Sequence, residues 1–313
     1  MELRKDYILN RYVILAAARK FRPREFVKEE TKEAEQCFFC AGNENLTPPE
    51  IGRISEGKRW VMRWFPNKFP AVEPKGNAEI RTDNTFYTFS DAYGYHEIIV
   101  ETPEHSKQLW DLEEETIEKL FRVYNERINA LAIKDKIRHV VVFKNHGKDA
   151  GTSLVHSHTQ IAAINLVPPY IQEKAEATKR HGSCPYCSII AGEKNSYRRC
   201  FENDTMVAFA PYASRFNYEI WIFPKRHIVS LADFTDGEFK DISGIAKQIL
   251  SKLKELNVSY NYCLQYSPAG ESLHFHIEVL PRAATWAGFE FSSNIIINSV
   301  SPEDAAKFYR GEA

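Results

Sequence analysis

Apolar and polar residues follow the same order in two stretches of the chain. The first stretch, residues 95–164, begins with YHEIIVETPEHSKQLWDL, and the second, residues 217–280, begins with NYEIWIFPKRHIVSLADF. Both openings contain an alternating run, and alternation with a period of two is typical of a strand with one buried face. In each case the run leads through a proline to a histidine and then to an acidic segment. We therefore predict a strand at the start of both stretches.

An amphipathic helix is predicted after each of these strands. Apolar residues recur at three- and four-residue spacing over about 113–134 and over about 236–256, which is the helical period. Strands with an H-x-H motif follow, in HVVVFKNHGKDAGTSLVHSHTQIAAI and in YNYCLQYSPAGESLHFHIEVL. Because strands outnumber helices and their connections are short, the pattern predicts an α+β fold with antiparallel sheets.

The shared order of elements indicates an internal duplication. A C-x-x-C pair precedes each stretch, and the two pairs lie 147 residues apart. We place the boundary in the polar, lysine-rich segment 172–182, which follows two consecutive prolines. This gives an N-terminal domain, residues 1–172, and a C-terminal domain, residues 173–313. Each domain is expected to consist of an antiparallel sheet with packed helices.

Composition limits the classes of partner. The chain has 313 residues, a formal net charge of −1 and 43% hydrophobic residues, which allows one large or two medium globular domains. The near-neutral balance argues against binding of a nucleic-acid backbone and leaves small anionic substrates open. The first ten residues, MELRKDYILN, lack the apolar core of a signal peptide, and no apolar run reaches the length of a membrane span. We expect a cytoplasmic protein with no nucleic-acid or membrane partner.

The cysteines point to metal binding. Four of the six form C-x-x-C pairs, whereas Cys200 and Cys263 stand alone among apolar neighbours, where packing is the expected role. Zinc takes four tetrahedral thiolate or imidazole ligands. The candidates are Cys37, Cys40, His105 and one of His156 or His158 in the first half, and Cys184, Cys187, His227 and one of His274 or His276 in the second. The repeated order favours two structural zinc ions per chain over a redox dithiol, which usually sits in a thioredoxin-like βαβ unit.

The segment H-S-H-T-Q, residues 156–160, carries the candidate chemistry. As a strand it would place residues 156, 158 and 160 on one face. The metal needs one imidazole, and the other is free to act as a neutral nucleophile near pH 7. Gln160 can donate hydrogen bonds without ionising, which suits an anionic phosphoryl oxygen. In the second half Glu278 stands at the equivalent place, and we expect no chemistry there because a carboxylate disfavours a phosphate.

The loop before the motif supports the same chemistry. Residues 145–153 supply two glycines, a lysine and small hydroxyls, and backbone amides in such turns can cradle phosphate oxygens. Together these residues resemble the galactose-1-phosphate uridylyltransferase family, a branch of the histidine-triad superfamily, over nearly the whole chain. The family pattern H-P-H-x-Q matches residues 156–160 with serine in place of proline. The resemblance implies that His156 is a zinc ligand, His158 the nucleophile and Gln160 the phosphoryl contact, and by equivalence we assign His274 to the second metal site.

The resemblance also implies a set of substrate-binding residues. They belong to an R-x-x-R-P pattern, an N-x-F pattern, the loop before the histidines, and a G-F-E element similar to a G-Y-E that in the family reaches across a dimer interface. The set is Arg19, Arg22, Asn67, Phe69, Asn145, Gly151, Thr152, Ser153, Gly288, Phe289 and Glu290. The implied fold is a tandem of two histidine-triad-like domains, and the implied assembly is a homodimer.

The activity implied by the resemblance is ping-pong nucleotidyl transfer. His158 attacks the α-phosphorus of a nucleotide sugar, expels the sugar 1-phosphate and passes the nucleotide to a second phosphate. We expect a UDP-glucose:hexose-1-phosphate uridylyltransferase with galactose 1-phosphate as acceptor. The serine and the second C-x-x-C pair also resemble the ADP-glucose phosphorylases of the family, so an ADP-glucose or dinucleoside polyphosphate phosphorylase is the alternative. A hydrolase and a zinc-bound interaction module without catalysis are the remaining alternatives.

Overall fold

Strands dominate both halves of the chain. The computed structural model describes residues 1–17 and 36–312. Its strands are β1 (Glu2–Lys5), β2 (Tyr12–Leu15), β3 (Gly52–Glu56), β4 (Arg59–Pro66), β5 (Arg81–Thr82), β6 (Thr88–Phe89), β7 (Gly94–Val100), β8 (His139–His146), β9 (His158–Ile164), β10 (Arg199–Glu202), β11 (Met206–Phe209), β12 (Ile220–Pro224), β13 (Tyr260–Gln265), β14 (His276–Pro281) and β15 (Ile296–Asn298). Its helices are α1 (Glu114–Ala132), α2 (Pro169–Lys179), α3 (Pro185–Glu193), α4 (Asp236–Leu256), α5 (Gly288–Ser293) and α6 (Pro302–Arg310).

A ten-stranded antiparallel sheet forms the centre of the fold. Its first half has the order β3-β4-β7-β9-β8 and its second half the order β10-β11-β12-β14-β13. In the first half β9 lies between β7 and β8, and in the second half β14 lies between β12 and β13. The long helix α1 connects β7 to β8, and α4 connects β12 to β13 in the same way. The repeat agrees with the predicted duplication. The halves do not keep separate sheets, however, because β8 pairs with β13, which satisfies two strand edges that would otherwise be open.

The two predicted amphipathic helices are present as α1 and α4, within two residues of their predicted limits. Thr235 and Glu238 form a capping box at the start of α4, and Asn257 ends it in the left-handed conformation. The apolar faces of both helices pack on one face of the sheet in a single core that contains Ile161 of β9 and Ile277 of β14. The helical spacing of apolar residues in the sequence therefore reflects the burial of these residues against this face of the sheet.

The opposite face of the sheet carries the segments that contain the cysteines. Because side chains alternate along a strand, Ile98 and Val100 of β7 point away from α1 and pack with Phe39, which lies between the first two cysteines. In the second half Phe223 of β12 packs in the same way with Tyr186, which lies between the second two. Each C-x-x-C segment is thus held against this face by an aromatic residue of its own.

The two ends of the chain meet in a smaller sheet. β15 lies parallel to β2, and β1 pairs antiparallel with β2. The predicted boundary after residue 172 falls inside α2, and the division into two domains stays a prediction. None of the helices in the described ranges is long and apolar enough to cross a membrane.

Candidate active site and metal centres

The first Cys/His set joins the loop at residues 37–40 to the segment that follows β7 and to the segment that precedes β9. Cys37 Sγ is 3.5 Å from His156 Nδ1, and Cys40 Sγ is 3.4 Å from His105 Nδ1. Zinc–sulfur and zinc–nitrogen bonds at a tetrahedral angle place such atoms about 3.6 Å apart. His156 Nε2 lies 2.7 Å from the Thr102 carbonyl oxygen, so it carries the proton and leaves the Nδ1 lone pair towards the sulfurs.

The second set repeats this arrangement. Cys184 Sγ is 3.8 Å from His274 Nδ1, and Cys187 Sγ is 3.7 Å from His227 Nδ1. His274 Nε2 donates to the Pro224 carbonyl oxygen at 3.0 Å, which again leaves Nδ1 for a metal. In each set the four ligand atoms lie within 4.8 Å of one another. The donors and their spacing fit a tetrahedral metal ion such as zinc.

His158 is not part of the metal set. Its Nδ1 donates to the His156 carbonyl oxygen at 2.9 Å, so the unprotonated nitrogen is Nε2, to which no described residue forms a hydrogen bond. The prediction that residues 156–160 form one strand is wrong at its start, since β9 begins at His158. His156 precedes the strand, and its ring is directed to the cysteines. The two imidazoles therefore have different partners although they are two residues apart.

A cleft of about 280 Å³ opens beside His158. All of its wall comes from the first half, and it includes the metal-set residues Cys37 and His105. Three of the predicted phosphate-loop residues line it, namely Asn145, Thr152 and Ser153. Gly151 lies in the same loop with a φ of +82°, at the end of the turn Lys148–Ala150, and is not part of the wall.

Residues of both halves hold the loop at residues 145–153 in place. Asn261 of β13 donates from Nδ2 to the Asn145 side-chain oxygen and to the Ala150 carbonyl oxygen, both at 2.9 Å. Gln108 donates from Nε2 to the Val155 carbonyl oxygen at 3.0 Å, and its Oε1 lies 3.1 Å from His146 Nδ1. Hydrogen bonds therefore hold both ends of the loop in position in the absence of a ligand.

A buried ion pair lies beneath His158. Lys144 of β8 donates to Glu101 at 2.6 Å, to the Ser157 hydroxyl at 2.9 Å and to the His158 carbonyl oxygen at 3.1 Å. Burial acts to raise the pKa of the Glu101 carboxyl, but the Lys144 charge and hydrogen bonds from Lys144, Ser157 and Thr159 outweigh it and hold this pKa below its usual value. The pair fixes the backbone of the H-S-H segment from below.

Gln160 follows His158 on the same face of β9, and a histidine from β7 contacts it. His96 Nε2 lies 3.0 Å from Gln160 Oε1 and 3.3 Å from Asn67 Nδ2. Asn67 Oδ1 accepts the backbone N–H of Phe69 at 2.9 Å, and the Phe69 ring is exposed. The structure therefore brings Asn67 close to Gln160 through a residue that the sequence analysis did not name.

Several predicted site residues are not part of the cleft wall, and Gln160, Asn67 and Phe69 are among them. Gly288, Phe289 and Glu290 begin α5, where Glu290 accepts the Ala287 backbone N–H at 2.8 Å, and none of them is part of the cleft wall. Arg19 and Arg22 lie outside the described residues.

The equivalent position in the second half is closed. His276 is fully buried, stacks on Phe223 at 4.7 Å, and has its Nε2 2.8 Å from Lys174 Nζ of α2. Glu278 binds Lys174 and also accepts from Arg215 at 2.8 Å. From the sequence we expect no chemistry at this position because the carboxylate of Glu278 disfavours a phosphate. The structure gives another reason, because Glu278 is neutralised and a lysine ammonium occupies the face that a phosphate would need.

Lys144, Glu101 and His96 were not identified from the sequence. Lys144 and Glu101 continue two apolar strand runs, HVVVFK and IIVE, and an ionisable residue within a buried strand is expected to have a charged partner. The sequence could therefore have indicated that Lys144 and Glu101 each have a charged partner, but not that they pair with each other. His96 gave no comparable signal, since it alternates with apolar residues as an outward-facing polar residue would.

Comparisons with known proteins show similarity to sugar-nucleotide enzymes over most of the chain. The model of the galactose-1-phosphate uridyl transferase N-terminal domain matches residues 2–168, and a domain of unknown function (DUF4921) matches residues 100–308. ADP-glucose phosphorylase from Arabidopsis thaliana is 34% identical over 99% of this chain and 92% of its own length. Galactose-1-phosphate uridylyltransferase from Thermotoga maritima is 28% identical over 99% of this chain and 98% of its own.

Solved structures extend the likeness to the fold. The crystal structure of an Arabidopsis thaliana ADP-glucose phosphorylase with bound ADP-glucose superposes with a TM-score of 0.85 and 32% identity, covering 99% of this chain and 98% of that one. A uridylyltransferase structure gives a TM-score of 0.76 and 27% identity, covering 100% and 98%. The family model spans more than half of the chain, and the relatives match it almost from end to end. The chain belongs to the galactose-1-phosphate uridylyltransferase family.

Proposed function

We propose that the protein transfers a nucleoside monophosphate from a nucleotide sugar to a second phosphate, with His158 as the covalent carrier. The observation that carries the proposal is the hydrogen bond from His158 Nδ1 to the His156 carbonyl oxygen. It fixes the tautomer whose Nε2 has a free lone pair, and it places that nitrogen beside a cleft with a phosphate-type loop.

The first step forms a bond between Nε2 and the α-phosphorus. The bond from that phosphorus to the bridging oxygen breaks, and the sugar 1-phosphate leaves with the electron pair. Positive charge develops on the imidazole, and the carbonyl oxygen that accepts from Nδ1 stabilises it. In the second step an oxygen of the acceptor phosphate attacks the same phosphorus, and the electrons of the P–N bond return to Nε2. Positioning dominates such transfers because the leaving phosphate needs no proton.

The remaining predicted site residues receive roles within this scheme. Gln160 donates to the phosphoryl oxygen, and the loop residues Asn145, Thr152 and Ser153, together with the nearby Gly151, bind the phosphates. Asn67 and Phe69 bind the nucleoside. Arg19 and Arg22 contact substrate phosphates, while Gly288, Phe289 and Glu290 contact the sugar of the partner subunit in a homodimer, which agrees with their place away from the cleft of their own chain. We propose that the enzyme acts in the cytoplasm.

We propose two zinc ions per chain. Cys37, Cys40, His105 and His156 would hold one, and Cys184, Cys187, His227 and His274 the other. When bound, each metal supplies a structural link between a C-x-x-C segment and distant strands. The ligand His156 also supplies the carbonyl oxygen that orients His158, so the first site would support the nucleophile without taking part in transfer.

Two donors fit this chemistry. The family match favours UDP-glucose, with galactose 1-phosphate or another hexose 1-phosphate as acceptor, and this is the function we propose first. The likeness to an ADP-glucose phosphorylase over 99% of the chain favours ADP-glucose with inorganic phosphate as acceptor, which is the second candidate.

A mass measurement separates the candidates. The purified protein is mixed with UDP-glucose or ADP-glucose alone, and the intact mass and the peptide containing residue 158 are examined for a uridylyl or adenylyl adduct. Discharge of the adduct by galactose 1-phosphate or by inorganic phosphate then identifies the acceptor, and water as the sole effective acceptor identifies a hydrolase. Absence of an adduct with both donors, in protein that retains its metal, rejects the proposal.

A further inference from the structure

His96 connects two parts of the candidate site that the sequence places far apart. It lies on β7, the strand beside β9, and only 9% of its surface is exposed. Its two ring nitrogens contact different elements: Nδ1 faces the backbone N–H of Ala71 at 3.0 Å, and Nε2 faces Gln160 Oε1 at 3.0 Å. It is neither a metal-set residue nor part of the cleft wall.

The Ala71 contact determines the tautomer of His96. A backbone N–H can only donate, so Nδ1 must be the unprotonated acceptor and Nε2 must carry the proton. That proton needs an acceptor because the ring is buried. Asn67 Nδ2 lies 3.3 Å away but cannot accept this proton, because it is the NH₂ group of the amide. The Asn67 amide is held in this orientation by the Phe69 N–H, which donates to Asn67 Oδ1. Among the described residues Gln160 Oε1 is therefore the acceptor.

The tautomer in turn determines the orientation of the Gln160 amide. An amide can rotate by half a turn and exchange its oxygen for its NH₂ group. With Oε1 held by His96, the NH₂ group is directed away from His96, and no described residue accepts either of its hydrogens. A rotated amide would set NH₂ against the His96 N–H and would present an oxygen to an anionic phosphoryl group, and both contacts are repulsive.

We infer that His96 is a positioning residue that locks Gln160 with its amide donor directed to the transferred phosphoryl group. The inference rests on the proposed function for the identity of that group. A donor that is already oriented stabilises the transition state without reorganising, whereas a freely rotating amide must first be ordered. Neutral His96 is required, and burial lowers the pKa of His96 more than the Gln160 hydrogen bond raises it.

Three variants test the two ring nitrogens separately. His96→Gln can place an amide donor near the position of Nε2, and His96→Asn can place an acceptor near that of Nδ1 while removing the donor to Gln160. The matched control is His139→Gln, since His139 is also a buried strand histidine but stacks on Tyr266 and contacts none of the candidate site residues. The measurements are the single-turnover rate of adduct formation and the dissociation constant of the nucleotide sugar.

We expect His96→Asn to slow adduct formation about 10-fold, which is less than the about 100- to 1,000-fold loss caused by removal of a transition-state donor. Its dissociation constant should change less than about 3-fold, because the amide acts mainly on the transition state. His96→Gln should recover the rate to within about 3-fold of wild type, and His139→Gln should not alter it. Equal rates for His96→Asn and wild type, or equal losses in His96→Gln and His96→Asn, overturn the inference.

A spectroscopic measurement tests the same inference without activity. Long-range ¹H–¹⁵N correlation of the histidine side chains in the wild-type protein should show His96 as the Nε2–H tautomer at neutral pH. A Nδ1–H tautomer overturns the inference whether or not an adduct forms and whether or not the variants fold. A wild-type protein that shows the Nε2–H tautomer but forms no adduct contradicts the proposed function instead.

Discussion

At the scale of single residues, the hydrogen bonds of His156 and His158 leave a different ring nitrogen free in each. His156 donates from Nε2 to the Thr102 carbonyl and turns Nδ1 to the sulfurs, whereas His158 donates from Nδ1 and keeps Nε2 free. Spacing alone could not distinguish them, since either could have completed the Cys/His set. The distinction lies in which ring nitrogen meets a backbone carbonyl.

We predict that alanine substitutions of these two residues fail differently. His156→Ala removes a ligand, so it should lose the metal of the first set, lower the melting temperature and reduce adduct formation as a secondary effect. His158→Ala should retain its metal and its stability but form no adduct. Metal analysis, thermal unfolding and intact mass measure the three properties. Full metal content in His156→Ala with metal loss in His158→Ala would reverse the assignment.

The ion pair between Lys144 and Glu101 gives a second prediction for single residues. Lys144→Met leaves the Glu101 carboxylate buried without its counter-ion, and breaking a buried pair from one side typically destabilises by about 3–5 kcal/mol. The shift in urea midpoint measures this loss. The control is Lys119→Met, which breaks an exposed pair with Glu56 and should change stability by less than about 1 kcal/mol. Equal shifts for the two variants would contradict the prediction.

At the scale of elements, the loop between β8 and β9 depends on one glycine more than on the other. Gly147 and Gly151 both have a φ of +82°, but ψ is 159° at Gly147 and 18° at Gly151, so Gly151 is left-handed helical whereas Gly147 adopts a conformation nearly restricted to glycine. A Cβ on Gly147 would lie 2.2 Å from Ser259 Oγ and 2.8 Å from Ser259 Cβ, whereas a Cβ on Gly151 meets no atom within 4 Å. Close packing against the loop before β13 and the backbone conformation together explain the glycine at position 147.

We predict that Gly147→Ala slows adduct formation and that Gly151→Ala does so less. The first change displaces the loop from the second half and also strains its backbone, while the second adds only backbone strain of about 1 kcal/mol. Single-turnover rates of both variants test the order. The double variant Gly147→Ala/Ser259→Gly removes the two shortest contacts and should recover part of the lost rate. No recovery would show that backbone strain, and not the contact with Ser259, causes the defect.

At the scale of the whole molecule, the two halves have the same arrangement of strands and helices, but within the described ranges only the first half has a cleft beside its H-x-H motif. The cleft is lined entirely by first-half residues, and the corresponding face of the second half is filled by Lys174, Arg215 and Glu278. The Cys/His set is nonetheless repeated in both halves. The second half therefore retains the arrangement suited to structure, and through β13 it supports the loop of the first.

Metal content tests this division between the halves. We predict about two zinc ions per chain in protein purified without chelator. Cys184→Ser should lose one ion and lower the melting temperature by about 5 °C or more, yet retain adduct formation because its set lies away from the cleft. Cys40→Ser should also lose one ion but form less adduct, since its set includes His156. Wild-type protein without metal would refute both sites, and equal activity losses in the two variants would refute the division.

The sequence by itself determined the repeated pattern, the two long helices, the two Cys/His sets and the candidate motif. These follow from local rules: burial of one face sets the period of a helix or strand, and metal chemistry restricts the ligand types. Only the tertiary structure decided which imidazole nitrogen is free, that β8 and β13 join the halves, and that Lys144, Glu101 and His96 surround the motif. Those outcomes depend on contacts between segments distant in sequence, and periodicity carries no record of which strands lie side by side.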